Sequence, residues 1–257
     1  TSPFTYGLGS TIFNEPLWCL FLISFFYYFT KIIHDNEINI QNFSIAGVML
    51  GASIAVKAVT LILLPIIILI SLVRFNKIFQ RENLITILLF ICLLTIFSIK
   101  PYLISYLYTD NPVFPFFNGI FKSPFYDSTS NFQNPIWGHG ISWDLFYQIT
   151  FNSEKFTEAS LGGIGFHLLL LSIPAIIILN LENQYRPLLF LFFALASLWV
   201  TFEFTAYLRY TFPAQVIIIL CSSLIIQKSE VINGAILKII KIIFSFTILL
   251  NLFFLDS

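Results

Sequence analysis

"FSIAGVMLGASIAVKAVTLILLPIIILISLV", residues 43–73, carries a single charge, Lys57, near its centre. One straight helix over this stretch would put Lys57 close to the middle of a bilayer, at a cost of about 3 kcal/mol on insertion scales. Two short helices joined near Lys57 would put it at an end instead. Which of the two holds decides the topology of everything that follows.

The surroundings are as apolar as the stretch itself. Of 257 residues, 58% are hydrophobic and 10% are charged, and the mean hydropathy is +0.88. Soluble domains usually carry about a quarter charged residues. Apolar segments recur at about 12–30, 43–56, 58–73, 84–99, 161–179, 188–202, 210–226 and 234–255. Strand-like alternation is absent, which argues against a barrel. The expected fold is all-α: a polytopic transmembrane helical bundle of about eight helices, forming one membrane-embedded domain over residues 1–257. Its expected location is the membrane, with membrane lipids as partners. Net charge is zero, so no long-range attraction to nucleic acid is expected.

Loop charges choose between the two forms of the 43–73 stretch. With a hairpin turning near Lys57, the short loops 31–42, 74–83, 180–187 and 227–231 share one side. They carry Lys31, Arg74, Lys77, Arg81, Arg186 and Lys228, which marks that side as cytoplasmic. A single helix would send Arg74, Lys77 and Arg81 outside. The hairpin is therefore expected, with 43–56 short enough to be tilted or partly re-entrant. Residues 1–15, the Lys57 turn, the loop 100–160 and the turn 203–209 then face outward.

The 100–160 loop is the one long extramembrane segment, and loops of that length are usually functional or disordered. Its Phe, Trp and Tyr content argues against disorder. In "SWDLFYQITF" (142–151), Trp143, Phe146, Tyr147 and Thr150 fall at helical spacing. That stripe is expected to lie in the membrane interface.

Four places carry polar chemistry beside these segments. Glu15, in "IFNEPLW", stands just before Pro16 at a helix start, where an acid also faces the positive end of the helix dipole. It is either a helix-start acid or a carboxylate at the mouth of an outward cavity. Lys57 is either a snorkelling lysine or a cation for an interfacial phosphate. Arg209, in "EFTAYLRYTFP" beside Tyr207 and Tyr210, is an interface anchor, a partner for Glu203, or a planar fork for phosphate or carboxylate. His139, in "NPIWGHG", is either an ordinary loop histidine or a group that titrates near neutrality. His34 and His167 are assigned structural roles. Cys19, Cys92 and Cys221 lie inside apolar runs and read as small core residues. No three of these residues have metal-ligand spacing, and no cofactor is indicated. Together, one acid, two cations and the loop aromatics on the outward side suit an anionic amphipathic ligand.

The run "TDNPVFPFFNGIFKSPFYD" (109–127) resembles a segment of bacterial GT-C-type membrane glycosyltransferases, the broad group related to dolichyl-phosphate-mannose–protein mannosyltransferases. The family pattern is similar to TGNPVFPFxNxxFxSPxxP. Asp110 stands here where Gly is usual, and Asp127 where Pro is frequent. "FNEPLWCLFL" (13–22), "AGVMLGASIAVKAVTLILLP" (46–65), "EASLGGIGFHLLLLSIP" (158–174) and "YLRYTFPAQVIIIL" (207–220) resemble further family landmarks in the same order.

The resemblance implies transfer of a sugar from a polyprenyl-phosphate donor to an acceptor on the outer face of a bacterial inner membrane. Glu15, Lys57, Asn111, Asn118, His139, Arg209 and Tyr210 are the expected substrate-binding residues. A base would deprotonate the acceptor, and Arg209 and Lys57 would meet charge on the leaving phosphate. The family's catalytic acid lies in a loop upstream of the "FNEP" helix. The chain therefore reads as a C-terminal piece that holds no catalytic residue of its own. Two other readings remain open: a polymerase or ligase of lipid-linked polysaccharide, and a transporter or flippase.

Overall fold

The computed structural model describes residues 14–35, 37–72, 75–127, 140–157, 166–228 and 234–253. Among them there is helix but no strand. Packing divides the chain into two compact units, Leu17–Gly138 and His139–Ser257 together with Thr1–Pro16. Each is described by itself.

The unit Leu17–Gly138 is built on three helices: α1 (Glu15–Ile33, its body from Leu17 onward), α2 (Ile40–Val56) and α5 (Leu84–Thr109). Asn39 starts α2 as an N-cap, its side chain accepting from Asn42 N at 2.8 Å. The helix ends at Lys57, where the backbone turns extended (φ −149°, ψ 114°). A 3₁₀ turn (Ala58–Leu63) and α3 (Leu64–Leu72) follow. Pro65 sits in the first turn of α3, where its missing N–H leaves no helical bond unmade. The 43–73 stretch is thus two helical pieces, as its central lysine led one to expect.

The chain also turns back at that break. Thr60 Oγ1 donates to Ser53 O at 3.1 Å, so the 3₁₀ turn lies against the last turn of α2. The packing of α2 on α5 requires the same return. Phe43 meets Phe90 edge-on, Gly51 meets Leu94 and Phe97, and Tyr102 Oη donates to Ile54 O at 2.8 Å. Residue numbers rise together along both helices, so α2 and α5 run parallel. A parallel pair needs a connection that comes back. Residues 58–72 supply it: six 3₁₀ residues and nine α residues cover about 25 Å, as does the 17-residue α2. Beyond α3 the chain passes through the short helix α4 (Phe75–Ile78) into α5. Lys77 and Arg81 therefore stand at the opposite end of this pair from Lys57.

Gly47 and Gly51 make the contact possible. A Cβ on Gly47 would lie 2.7 Å from Phe90 O, and one on Gly51 2.6 Å from Leu94 O. Those neighbours are backbone atoms of a packed helix and cannot swing aside. Small residues four apart, letting two backbones approach, are a common device of helix pairs in membranes.

α5 departs from the sequence expectation of a segment over 84–99. It continues through Lys100 and Pro101 to Thr109. A lysine followed by proline reads as a helix end, yet Pro101 removes only one bond from a helix 26 residues long. The termination comes at Asp110, which takes the left-handed conformation (φ 57°) and donates its N–H to Tyr106 O at 2.8 Å. α5 has no fully buried residue, and Leu84, Ile85, Leu88, Ile91, Ile96 and Leu103 are all exposed. Such a surface is stable against lipid or protein, not against water.

The other unit contains α7 (Leu145–Phe151), α8 (His167–Leu181), α9 (Tyr185–Phe204), α10 (Phe212–Lys228) and α11 (Gly234–Phe253). The helix α6 (Asn118–Phe121) lies within the loop of the first unit. α7 falls where an interfacial stripe was expected, but the stripe is not one face. Thr150 is buried with Leu145 and Ile149, whereas Phe146 and Tyr147 are exposed. Trp143 precedes the helix and is exposed. The expected outward turn 203–209 is likewise partly interior: Ala206, Tyr207 and Leu208 are buried, and Leu208 N donates to Phe156 O at 2.8 Å.

Glu15–Ile33, Arg81–Thr109 and Tyr185–Phe204 are each long and apolar enough to cross a membrane. Shorter apolar helices cover Ile40–Val56, Ala58–Leu72, His167–Leu181 and Leu208–Leu224.

At an open helical position Gly→Ala gains about 1 kcal/mol. At Gly47 or Gly51 the sign should reverse, because overpacking against backbone costs about 1–3 kcal/mol. Thermal melting of Gly51→Ala in detergent should show the loss. A melting temperature equal to or above wild type would mean that the α2–α5 contact is looser than described.

Candidate functional site

Each of the two units carries a polar cluster, and the residues singled out from sequence fall into them unevenly.

In the unit Leu17–Gly138, Lys57 interrupts the α2 hairpin. Its amine lies 5.3 Å from the centroid of the Trp18 ring, over the indole. The indole N–H donates to Thr60 Oγ1 at 2.7 Å, and that hydroxyl in turn donates to Ser53 O. This chain of bonds fixes the Trp18 ring in place, so the lysine rests on a rigid aromatic face. Trp18 and Thr60 were not singled out from sequence. They are 42 residues apart, and no local spacing links them.

The 109–127 run stands at the same end of α5 as the Tyr102–Ile54 contact. It is folded around two buried asparagines. Asn111 Nδ2 donates to Phe116 O at 2.9 Å, while its Oδ1 accepts from Val113 N at 2.9 Å. Asn118 Nδ2 faces the carbonyls of Ser123 (3.1 Å), Tyr126 (3.0 Å) and Asp127 (3.2 Å), and its Oδ1 accepts from Ser123 N at 2.9 Å. Both side chains are fully buried. Asp110, Phe117 and Lys122 all take left-handed backbone. The loop therefore has no ladder of its own, and two side-chain amides do the work of secondary structure. Asn111 and Asn118 shape the loop rather than offer polar atoms to a ligand. The loop exposes the apolar and aromatic Phe117, Ile120, Phe125 and Tyr126 together with the charged Asp110, Lys122 and Asp127.

In the other unit, the segment 205–211 breaks the run from α9 to α10. Thr205 and Tyr207 are extended, and Leu208–Thr211 form a 3₁₀ turn. This places Arg209 against Glu15. Arg209 Nε and Nη2 both donate to Glu15 Oε1, at 3.0 and 2.9 Å. Nη1 donates to Tyr207 Oη at 3.1 Å, and the guanidinium carbon lies 5.6 Å from the Tyr207 ring centroid. Tyr210 meets Tyr207 edge-on at 5.2 Å between centroids. Glu15 is fully buried, while the Arg209 side chain keeps 23% exposure.

The partner expected for Arg209 within the protein was Glu203. The structure gives it Glu15, 194 residues away in sequence. Glu203 is exposed near the end of α9, six residues earlier and outside the break that aims Arg209 inward. Glu15 is the first residue of α1, as a helix-start acid, and its buried carboxylate is engaged by Arg209. His139 lies outside the described residues. Among the described residues no group of His, Cys, Asp and Glu is arranged to hold a metal ion.

No family model, curated protein or solved structure matches this chain.

Breaking a buried ion pair from one side costs about 3–5 kcal/mol, whereas removing both partners costs far less. Arg209→Met should therefore lower the melting temperature sharply, and Glu15→Gln/Arg209→Met should recover most of the loss. Glu203→Gln should leave it unchanged. Equal damage from Glu203→Gln and Glu15→Gln would remove the pairing described above.

For the loop, Asn118→Ala removes the bonds that Asn118 makes to the N–H and carbonyl of the buried Ser123, at about 1–3 kcal/mol. Limited proteolysis between residues 111 and 127 should accelerate several-fold. Cutting at the wild-type rate would mean that Asn118 does not hold the loop.

Proposed function

We propose that this chain is the membrane-embedded part of a glycosyltransferase, a polytopic helical bundle that takes a sugar from a polyprenyl-phosphate donor at one face of a bacterial inner membrane. The observation that carries this reading is the end of the Leu17–Gly138 unit where Lys57 rests on Trp18. There the return of the chain holds a cation at the tip of a helical hairpin. α5 delivers the asparagine-clamped loop at the same end of its pairing with α2.

The chemistry of that end suits an amphipathic anion. A phosphate bound near Lys57 would gain a charge-assisted bond, and one cation at the hairpin tip is positioned for the interface between headgroup and hydrocarbon. Exposed Phe117, Phe125 and Tyr126 offer flat apolar faces for sugar rings or for an isoprenoid chain. The loop keeps its shape without either, because Asn111 and Asn118 are held by its own backbone. A preformed surface binds with less ordering cost than a mobile one.

The reading is tested with a diazirine-bearing undecaprenyl phosphate and the full-length protein in membranes. Wild type and the Lys77→Met control should crosslink alike. Lys57→Met should label at least about tenfold less at a subsaturating dose, the equivalent of a lost charge-assisted bond of about 1.5–3 kcal/mol. Lys57→Arg should retain part of the labelling. A diazirine-bearing undecaprenol, which lacks the phosphate, should label Lys57→Met and wild type equally. If Lys57→Met binds the phosphate probe as well as wild type, the donor site is not here.

A further inference from the structure

The His139–Ser257 unit buries a histidine that neither the fold nor the proposed donor site uses. His167 opens α8 and is 3% exposed. Among the described residues neither of its ring nitrogens has a hydrogen-bond partner. A neutral imidazole carries one N–H donor and one lone-pair acceptor, and leaving both unmet in an interior is costly.

The helix directions bring further polar atoms to the same end. α8 and α9 are joined by only Glu182–Gln184 and pack together, so they are antiparallel neighbours. Cys221 Sγ lies 3.5 Å from Pro187 O, which sets the third turn of α10 beside the first turn of α9. α10 is therefore antiparallel to α9 and parallel to α8, against which it also packs. The first turns of α8 and α10 then share one end of the unit. That first turn of α10 carries Gln215, fully buried. Its Nε2 donates to Thr211 Oγ1 at 2.9 Å, but its Oε1 has no partner among the described residues. Asn251, near the end of α11, reaches the start of α8. Its Oδ1 accepts from Phe166 N, one residue before His167, at 2.8 Å. Further along, the buried hydroxyls of Ser172 on α8 and Ser222 on α10 are also without partners among the described residues.

We propose that the first turns of α8 and α10 form an internal binding site for a hydroxyl group, with His167 as its principal contact and Gln215 Oε1 as its second acceptor. The chemistry selects the occupant class. The site needs a group that accepts from the imidazole N–H and donates to Gln215 Oε1. An O–H group does both, whereas a cation or an anion satisfies only one side. The hydroxyl belongs either to ordered water or to a polyol or sugar, and ordered water in a polar interior site typically makes about three such bonds. The inference does not rest on the donor site near Lys57, which is made by other helices.

The test uses the whole protein in nanodiscs with ¹⁵N-labelled histidine. The three imidazole signals are assigned from His34→Gln, His139→Gln and His167→Gln. If water fills the site, the His167 N–H persists and shows a cross-relaxation peak to water with no solute added. If a solute hydroxyl fills it, that peak is absent, and the His167 signals shift on titration with glycerol or methyl α-glucoside. Absence of both signals overturns the proposal.

Stability gives an independent reading. His167→Phe keeps a ring of similar size and removes both nitrogens, so its melting temperature should fall by several degrees. His167→Gln, which can still donate and accept, should fall less, and a second change, Gln215→Leu, should return part of the loss in the Phe variant. A histidine that merely fills space predicts the reverse order, with His167→Phe at least as stable as wild type, and that result would overturn the site. If His167→Phe does not fold, the cross-relaxation and titration arms decide on wild-type protein alone.

Discussion

The approach of α2 to α5 over Gly47 and Gly51 constrains the Leu17–Gly138 unit more than any other contact. With carbonyl oxygens where a Cβ would stand, the two backbones touch along a parallel pair. Parallel neighbours joined in sequence oblige the chain to return, and the return obliges a break. Lys57 is that break. A charged residue at the end of a short helix can reach water or headgroups, so the position least tolerable in a continuous span becomes acceptable in a broken one. Trp18 and Thr60 then hold the tip, one through its ring and the other through its hydroxyl. Packing, topology and the placement of the cation are a single argument read at three scales.

The second unit solves a related problem differently. A guanidinium and a carboxylate are brought together where the carboxylate is fully buried. The guanidinium also donates to Tyr207, whose ring meets Tyr210 edge-on. Such a pair specifies an arrangement more than it stabilises one, since two apolar residues of the same size could do as well energetically. Here what it specifies is the conformation of residues 205–211. The extended stretch and 3₁₀ turn direct Arg209 inward, whereas an unbroken helix from α9 to α10 would leave no such turn to do so.

How far the sequence could be read follows the range of each interaction. The break at Lys57 is legible because a charge inside a largely apolar 31-residue stretch has few tolerable places, and loop charges choose among them. The left-handed residue ending α5 was half legible. Asp110 occupies a position where the resembling run has glycine, and its φ is 57°. The end of α5 itself was misread, because Lys100–Pro101 looks like a stop and the packing that carries the helix past it is made by Tyr102 with a residue 48 positions away. Arg209 was recognised as a residue in need of an anion, but not its partner. Glu203 is near in sequence and Glu15 is near in space, and nothing in the spacing of either gives the fold that distinguishes them. His167 reads as structural because it sits in an apolar run, and only the absence of partners around its ring, among the described residues, argues otherwise.

Polar residues picked from a greasy sequence divide, once folded, by whether the protein itself satisfies them. Asn111 and Asn118 bind their own loop through every atom that could have met a sugar. Arg209 has each of its three nitrogens engaged by Glu15 or Tyr207, so an anion arriving there would have to displace a buried carboxylate. Residues held in this way build a site without contacting what enters it. His167 differs in kind. It is buried, and among the described residues neither ring nitrogen meets a hydrogen-bond partner. A side chain whose needs the protein meets resists an incoming polar group, because that group must first displace the partner. A buried side chain whose needs are unmet gains by admitting one.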